Sequence, residues 1–206
     1  GQSARLIDGS GGLLITDDGV AGVLSGELDV DVGGVEAGGS LILRINNTGG
    51  AVAKEVAIGT DTLQIVFSES EREVFAVSLT GASLNIADVI LLEGSLSFVD
   101  QNGRQVAAGA DLLLFVGEGE PTLEDGSINP AARGILISSA TVGLVQEESD
   151  GETLYALEAV GTIEVIGIDD LTVSGEMTVR VNSFSSSSAI EEPITIGATG
   201  EEVTVM

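Results

Sequence analysis

Residues 162–182 read TIEVIGIDDLTVSGEMTVRVN, and this stretch decides the fold of the chain. Apolar and polar residues alternate on both sides of a turn of glycine and aspartate, which is the pattern of two β-strands joined in a hairpin. The same pattern occurs earlier, over residues 28–46, where Gly33 and Gly34 separate two alternating runs. Two glycines supply the positive φ angles that a two-residue hairpin turn requires. The sequence therefore predicts antiparallel hairpins as its basic unit.

The alternation continues along most of the chain, and no window of ten or more residues has the 3.6-residue period of a helix. We therefore predict an all-β fold, an elongated antiparallel meander of long strands and hairpins. Because one side of such a sheet is apolar, we expect it to be rolled into a sandwich or barrel-like sheet that covers that side. A parallel β-solenoid is the alternative, although the unit of about thirteen residues is shorter than most solenoid coils.

An internal repeat organises the chain. At an offset of 136 residues, Arg44 to Asn46 aligns with Arg180 to Asn182, and the match includes one of the few basic residues. At an offset of 122, residues 12–15 align with 134–137, so the second copy needs about fourteen more residues, which we assign to a polar loop over 146–155. The prediction is a first repeat over 1–133, with hairpins and an acidic loop, and an incomplete second repeat over 134–206, in a chain excised from something longer.

Charge limits the classes of partner. The 206 residues contain 33 Asp and Glu against 7 Lys and Arg, a formal net charge of -26. Such a chain repels nucleic acid, which is therefore excluded as a partner. No run approaches 18 uninterrupted apolar residues, so we predict no membrane insertion.

Residue types limit the chemistry. The chain has no His and no Cys, which removes Ser/His/Asp sites, thiolate nucleophiles and the usual zinc ligands. A glycosidase-type pair of carboxylates would lack an aromatic platform, because Trp is absent and Tyr155 is the single tyrosine. We therefore predict that the chain is not an enzyme.

Acidic clusters at predicted turns are candidate Ca²⁺ sites, because Ca²⁺ prefers carboxylate and carbonyl oxygens in flexible loops. For each cluster the plainer interpretation is a solvated turn, and none has the spacing of an EF-hand loop. The loop over 118–125 is the first choice. The candidate ligands are Glu118, Glu120, Glu124, Asp125, Asp17, Asp18, Asp169 and Asp170.

The pattern of residues 11–32 with 40–52, and of 117–145 with 155–182, resembles tandem repeats of very large secreted bacterial surface proteins. These adhesin-like proteins often also carry haemolysin-type calcium-binding arrays. The resemblance implies an extracellular location, a scaffold or adhesin role and calcium dependence. The glycine-aspartate nonapeptide of those arrays does not occur in this chain, so the resemblance implies calcium for neighbouring segments only.

These patterns predict a structural repeat segment of a large extracellular bacterial surface protein, whose partners are neighbouring repeats or further copies of itself. A module that binds a hydrophobic ligand such as a lipid is the alternative, because a rolled meander encloses apolar space. A filament subunit is a third hypothesis, in which the strand over 203–206 pairs with another repeat. Arg44 and Arg180 are predicted to pair with an acid on the neighbouring strand.

Overall fold

The computed structural model describes residues 2–123, 125–149, 151–184, 192–196 and 201–205. Thirteen strands and one short 3-10 turn, Glu69–Glu71, are found within these residues, and the all-β prediction is confirmed. The strands are β1 Ser3–Thr16, β2 Gly19–Val32, β3 Val35–Asn46, β4 Val52–Ile58, β5 Asp61–Phe67, β6 Val74–Ile86, β7 Ile90–Gln101, β8 Arg104–Glu118, β9 Arg133–Ser149, β10 Glu152–Ile166, β11 Val173–Asn182, β12 Glu192–Ile196 and β13 Glu201–Val205.

Nine strands form one antiparallel sheet in the order β1-β2-β3-β6-β7-β8-β9-β10-β11. Neighbours in the sheet are also neighbours in the chain, except where the β4–β5 hairpin is inserted between β3 and β6. A second inserted hairpin, β12–β13, follows β11. The antiparallel meander is therefore confirmed over the parallel solenoid. The sheet does not close into a barrel, and β1 and β11 are its two edges.

The tight turns lie where the sequence predicts them. Gly33 and Gly34 have φ angles of 62° and 84°, and Val32 pairs with Val35 across them. Asn102 and Gly103 connect β7 to β8 in the same way, with φ angles of 53° and 79°. Two consecutive residues at positive φ match the right-handed twist of the flanking strands. These turns set the register of both hairpins.

A line of β-bulges crosses the middle of the sheet, which the alternation did not predict. Four strands carry one more residue than their neighbours at this line, and in each the extra residue has a positive φ. The line lies at Asp8 of β1, Gly81 of β6, Asp111 of β8 and Ser139 of β9. An extra residue reverses which side chains point to which face, and it bends the strand. Without the extra residue, the side chains beyond the bulge would point to the opposite face of the sheet from the one that they occupy.

Two hairpins cover one face of the sheet, which we call the covered face. The β4–β5 hairpin buries Ile65 and Phe67 against Ala21 and Val74. The β12–β13 hairpin buries a second cluster, composed of Ile194, Val203, Val205, Ala108, Ala110, Val145 and Ala156. The connection after β8 covers a third, around Phe115, Ala132, Leu136 and Ile166. The core therefore lies in three small clusters along one face.

The opposite face is almost entirely apolar, and none of the described residues forms a layer over it. Cross-strand pairing shows four rows of Gly, Ala, Val, Leu, Ile and Phe that run across the sheet, two on each side of the bulge line. We call them together the apolar face. The row that starts at Gly11 continues through Leu24, Leu43, Val77, Phe98, Ala107, Leu144, Leu157 and Val181. The other three rows begin at Gly26, at Ala4 and at Val32.

This arrangement corrects the expectation that the sheet rolls up to cover its apolar side. The hairpins cover the other face, on which polar and apolar residues are mixed. The side chains of the apolar face are half-buried or exposed, as in Phe98, which is 36% exposed. Period-two alternation identifies the apolar side of a strand, but it carries no information about which side a distant hairpin will cover.

The internal repeat is visible as a repeated arrangement of strands. Gly12, Val23 and Arg44 are cross-strand neighbours on β1, β2 and β3, and Gly143, Glu158 and Arg180 have the same relation on β9, β10 and β11. In each copy a hairpin follows the third strand and packs over the glycine of the first strand.

The strand pairing corrects the sequence alignment in one respect. Gly143, not Gly134, takes the place of Gly12, so the offset of 122 is wrong for the first strand. The predicted polar loop over 146–155 is also wrong, since residues up to Ser149 belong to β9 and residues from Glu152 belong to β10. The extra residues lengthen two paired strands. The repeat boundary at 133 stays a prediction, because β8 pairs with β9 in one continuous sheet.

Candidate interaction surface

The predicted Ca²⁺ ligands lie at opposite ends of the sheet. Asp17 and Asp18 form the exposed turn between β1 and β2, at the end of the sheet that also holds Asn102 and Gly103. Asp169 and Asp170 lie in the exposed connection between β10 and β11, at the other end, and Asp170 has a φ of 60°. These two pairs therefore cannot contribute to one site.

The acidic loop, our first choice, lies at the same end as Asp169. Glu118 ends β8 opposite Arg133, and Glu120 borders a groove of about 450 Å³ whose lining includes Leu91 and Phe115. Asp125 accepts hydrogen bonds from the Ser127 hydroxyl at 2.6 Å and from the Ser127 N–H at 2.9 Å. These bonds hold the pKa of Asp125 below its ordinary value of 3.8, the hydroxyl having the larger effect.

Glu124 lies outside the described residues. Among the residues that the structure does describe, no three Asp or Glu side chains converge as a metal site requires. The turn at Asp125 is instead organised by its own serine, in a local Asx-type turn. Calcium binding stays a prediction for these turns.

Arg44 anchors the first inserted hairpin to the sheet. Its guanidinium donates to Glu71 at 2.7 Å and to the Val66 carbonyl at 3.3 Å, and it lies 4.6 Å from the centre of the Phe67 ring. The predicted pairing with an acid on a neighbouring strand is wrong here, because Glu71 belongs to the 3-10 turn after β5. The cation joins sheet, hairpin and turn.

Glu71 is held in its charged form. Partial burial works to raise its pKa, but hydrogen bonds from the Ser68 N–H, from Arg44 and from the Ser68 hydroxyl more than offset it, so the pKa lies below its ordinary value of 4.5. Both partners of the Arg44–Glu71 pair are about two-thirds screened from water. The pair is therefore less weakened by solvent than a fully exposed one.

Asn46 completes this anchor, and sequence reasoning missed its role. Its side chain is fully buried and donates to the carbonyls of Gly50 and Glu71 at 3.0 and 2.8 Å. Its Oδ1 accepts from the N–H and hydroxyl of Thr48 at 3.1 and 2.8 Å. Every donor and acceptor of the amide is thus satisfied, as a buried polar group requires. The sequence did indicate that Asn46 has a structural role, because it recurs as Asn182 in the second copy. The Oδ1 of Asn182 accepts a hydrogen bond from the Phe184 N–H at 2.9 Å.

Arg180 confirms the prediction for the second copy. Its Nε and Nη2 both donate to Oε1 of Glu158 on the neighbouring strand, at 3.1 and 2.7 Å. Glu158 is buried, whereas the Arg180 side chain is 58% exposed. The two arginines have equivalent positions but different partners, because the second copy has Glu158 where the first has Val23.

The apolar face shelters part of its own surface. Glycines on this face leave open space that leucines fill by lying flat along the sheet: Leu24 lies beside Gly11, Leu79 beside Gly39, and Leu112 beside both Gly94 and Gly109. Phe75 and Phe98 meet edge to face with ring centres 6.4 Å apart. A shallow depression of about 330 Å³ lies beside Leu24, and its lining includes Leu13 and Leu43. The face is therefore apolar and shallow in relief.

The sheet edges are the second candidate surface. The strand β11 is exposed over nearly its whole length, and within the described part of the chain it pairs with β10 alone. The last strand, β13, pairs with β12 and buries Val203 and Val205 within the chain, and the filament hypothesis stays a prediction. In the nine-stranded sheet, the edges available for strand addition are β1 and β11.

No protein-family model matches the chain, no curated protein matches it, and no solved structure matches it. Within the described residues, none of the helical structure is long and apolar enough to cross a membrane.

Proposed function

We propose that this chain is a non-enzymatic structural repeat segment of a large extracellular bacterial surface protein, with a scaffold, adhesin or filament role. One observation carries the proposal: the arrangement of β1, β2, β3 and the β4–β5 hairpin recurs in β9, β10, β11 and the β12–β13 hairpin within one unbroken sheet. Repetition that extends a sheet produces length and surface, which are the properties of a scaffold.

The repeated arrangement also supports neighbouring repeats as partners. In the first copy, the far side of β3 pairs with β6 over eleven residue pairs. The equivalent side of β11 has no partner strand among the described residues, and β11 ends on Arg180, Val181 and Asn182 as β3 ends on Arg44, Ile45 and Asn46. A further repeat supplies a strand of the β6 type, and the sheet then continues in the same way.

The apolar face favours the second candidate function, a module that binds a hydrophobic ligand. Its depression near Leu43 is lined by glycines and aliphatic side chains, the chemistry that suits an acyl chain. A ligand carrier should retain lipid through purification, whereas a scaffold should not. Organic extraction of the purified chain followed by mass spectrometry separates these two functions.

The proposed scaffold role is tested on the source organism. Antibodies raised against the chain should label intact cells, and treatment of those cells with an external protease should remove the label. Antibodies against a cytoplasmic protein serve as the control for cell integrity. Labelling that appears only after lysis would contradict an extracellular role.

A further inference from the structure

The two faces of the sheet differ strongly in their content of charged residues. The four rows of the apolar face contain no charged residue among the described positions. Most of the charged residues at paired positions within the sheet lie on the covered face: Arg5, Glu27, Asp29, Asp31, Glu36, Arg44, Glu93, Arg104, Glu147, Glu152, Glu158, Glu164, Glu176 and Arg180.

The remaining charges near the apolar face lie at its borders. Asp100, Glu118, Arg133 and Glu148 are at strand ends, next to turns. Asp8 and Asp111 belong to the bulge line that separates the two pairs of rows. Each pair of rows is therefore a block of apolar surface with charge only around it.

The area of this surface is that of a protein interface. Neighbouring strands are about 4.8 Å apart, and successive residues on one face of a strand are about 6.8 Å apart along it. Four rows across the nine strands therefore cover roughly 1,100 Å². A standard interface takes about 800 Å² from each partner. Monomeric proteins rarely expose one apolar patch larger than about 300–600 Å², and this face carries two adjacent blocks of roughly 550 Å² each, so it has the extent of a surface that is covered in use.

We propose that the apolar face is covered by the apolar face of a second copy of this chain, in a two-layered sandwich. When two apolar faces pack together, none of the rows in contact contains a charged residue. The acidic covered faces then point outward into solvent, where salt screens the repulsion between them. A bilayer fits less well, because a chain with a net charge of -26 is repelled by anionic headgroups. This inference rests on the proposed structural role and names the face through which copies associate.

The test is sedimentation-velocity centrifugation of the whole chain at about 50 µM, well above the micromolar dissociation constants of the weakest interfaces of this size. We expect a species of twice the chain mass of 20.8 kDa. Phe98→Glu places a charge on β7, the central strand, where pairing at a sheet edge would not be affected. We expect dimerisation to weaken at least about 100-fold, because two like charges then enter the contact.

Val66→Glu is the matched control. Val66 is 51% exposed on β5 and lies away from the apolar face, so the same added charge should leave the dimer intact. Leu24→Glu, at a position 39% exposed on β2, is the second variant in case Phe98→Glu does not fold, as judged by circular dichroism.

Four results would overturn the inference. They are a monomeric wild-type chain, a dimer that persists in Phe98→Glu and Leu24→Glu, a dimer lost equally in Val66→Glu, and a monomer that floats with phosphatidylcholine vesicles. The last result assigns the face to lipid. If the chain is monomeric but antibodies against it label intact cells, this inference alone is refuted and the proposed scaffold role is unaffected.

Discussion

Gly94 provides the sharpest test of the bulge line. It lies on β7 opposite the extra residue of β8, with a φ of 133°, in a region that residues with a side chain rarely adopt. A Cβ at this position would be 2.9 Å from the carbonyl oxygens of both Ala110 and Asp111, and 2.8 Å from a methyl group of Leu112. The leucine can rotate away, but the two backbone carbonyls hold the bulge and cannot.

Gly94→Ala should therefore lower the free energy of unfolding by about 2–4 kcal/mol, combining backbone strain of about 1–3 kcal/mol with displacement of the bulge. For a chain of this size, that is a fall in melting temperature of roughly 4–16 °C. The measurement is urea unfolding followed by circular dichroism, supported by thermal scans.

Two other glycines calibrate the result. Gly34 has a φ of 84° but open space around it, so Gly34→Ala should cost only the left-handed strain of about 1–2 kcal/mol. Gly50 has neither a positive φ nor a neighbour within 4 Å, so Gly50→Ala should be neutral or stabilising by up to about 1 kcal/mol. If Gly94→Ala and Gly50→Ala unfold at the same urea concentration, the contact argument at the bulge is refuted.

Three further predictions concern the hairpin, the charged anchor and calcium. Ile65→Ala, at a fully buried position, should cost about 2–5 kcal/mol in urea unfolding, whereas Val66→Ala beside it should cost less than about 1 kcal/mol; equal losses would mean that the hairpin does not pack as described. Folding lowers the pKa of Glu71, so the ionised side chain stabilises the fold above pH 4.5, and this stabilisation is lost as the pH falls through the lower pKa of the folded state. Glu71→Gln should therefore reduce the loss of stability on acidification in that pH range. An unchanged dependence of the free energy of unfolding on pH would contradict this. If the acidic turns bind Ca²⁺, millimolar Ca²⁺ should raise the melting temperature more than equal Mg²⁺, and identical shifts would mean charge screening only.

Much of the strand and turn pattern could be predicted because it is local. Gly33 with Gly34 and Asn102 with Gly103 form their turns through their own backbone preferences, and the runs between them alternate with the period of a strand. The bulges could not be predicted in the same way. Asp111 and Ser139 are ordinary residues in sequence, and each has a positive φ only because a neighbouring strand is one residue shorter at that line.

The candidate surfaces were predicted less completely than the fold. The alternation of apolar and polar residues predicts which face of the sheet Arg44 and Arg180 lie on, but it does not predict which acids they bind. Glu158 is the cross-strand neighbour of Arg180, whereas Glu71 reaches Arg44 from a turn 27 residues along the chain. Five of the acids proposed as Ca²⁺ ligands lie at turns, Asp17, Asp18, Asp125, Asp169 and Asp170, but these turns lie at both ends of the sheet, and Glu118 belongs to β8.

By itself, the sequence determined an all-β, acidic meander with tight turns at its glycines, an internal repeat and an apolar side to its strands. Each of these depends on residues close together in the chain, since a backbone preference or a period of two needs no distant partner. Only the tertiary structure decided that the hairpins cover the mixed face and leave the apolar one open. That outcome depends on where the chain returns after β3 and after β11, and it is set by the packing of Phe67 and Val205 onto strands far away in sequence.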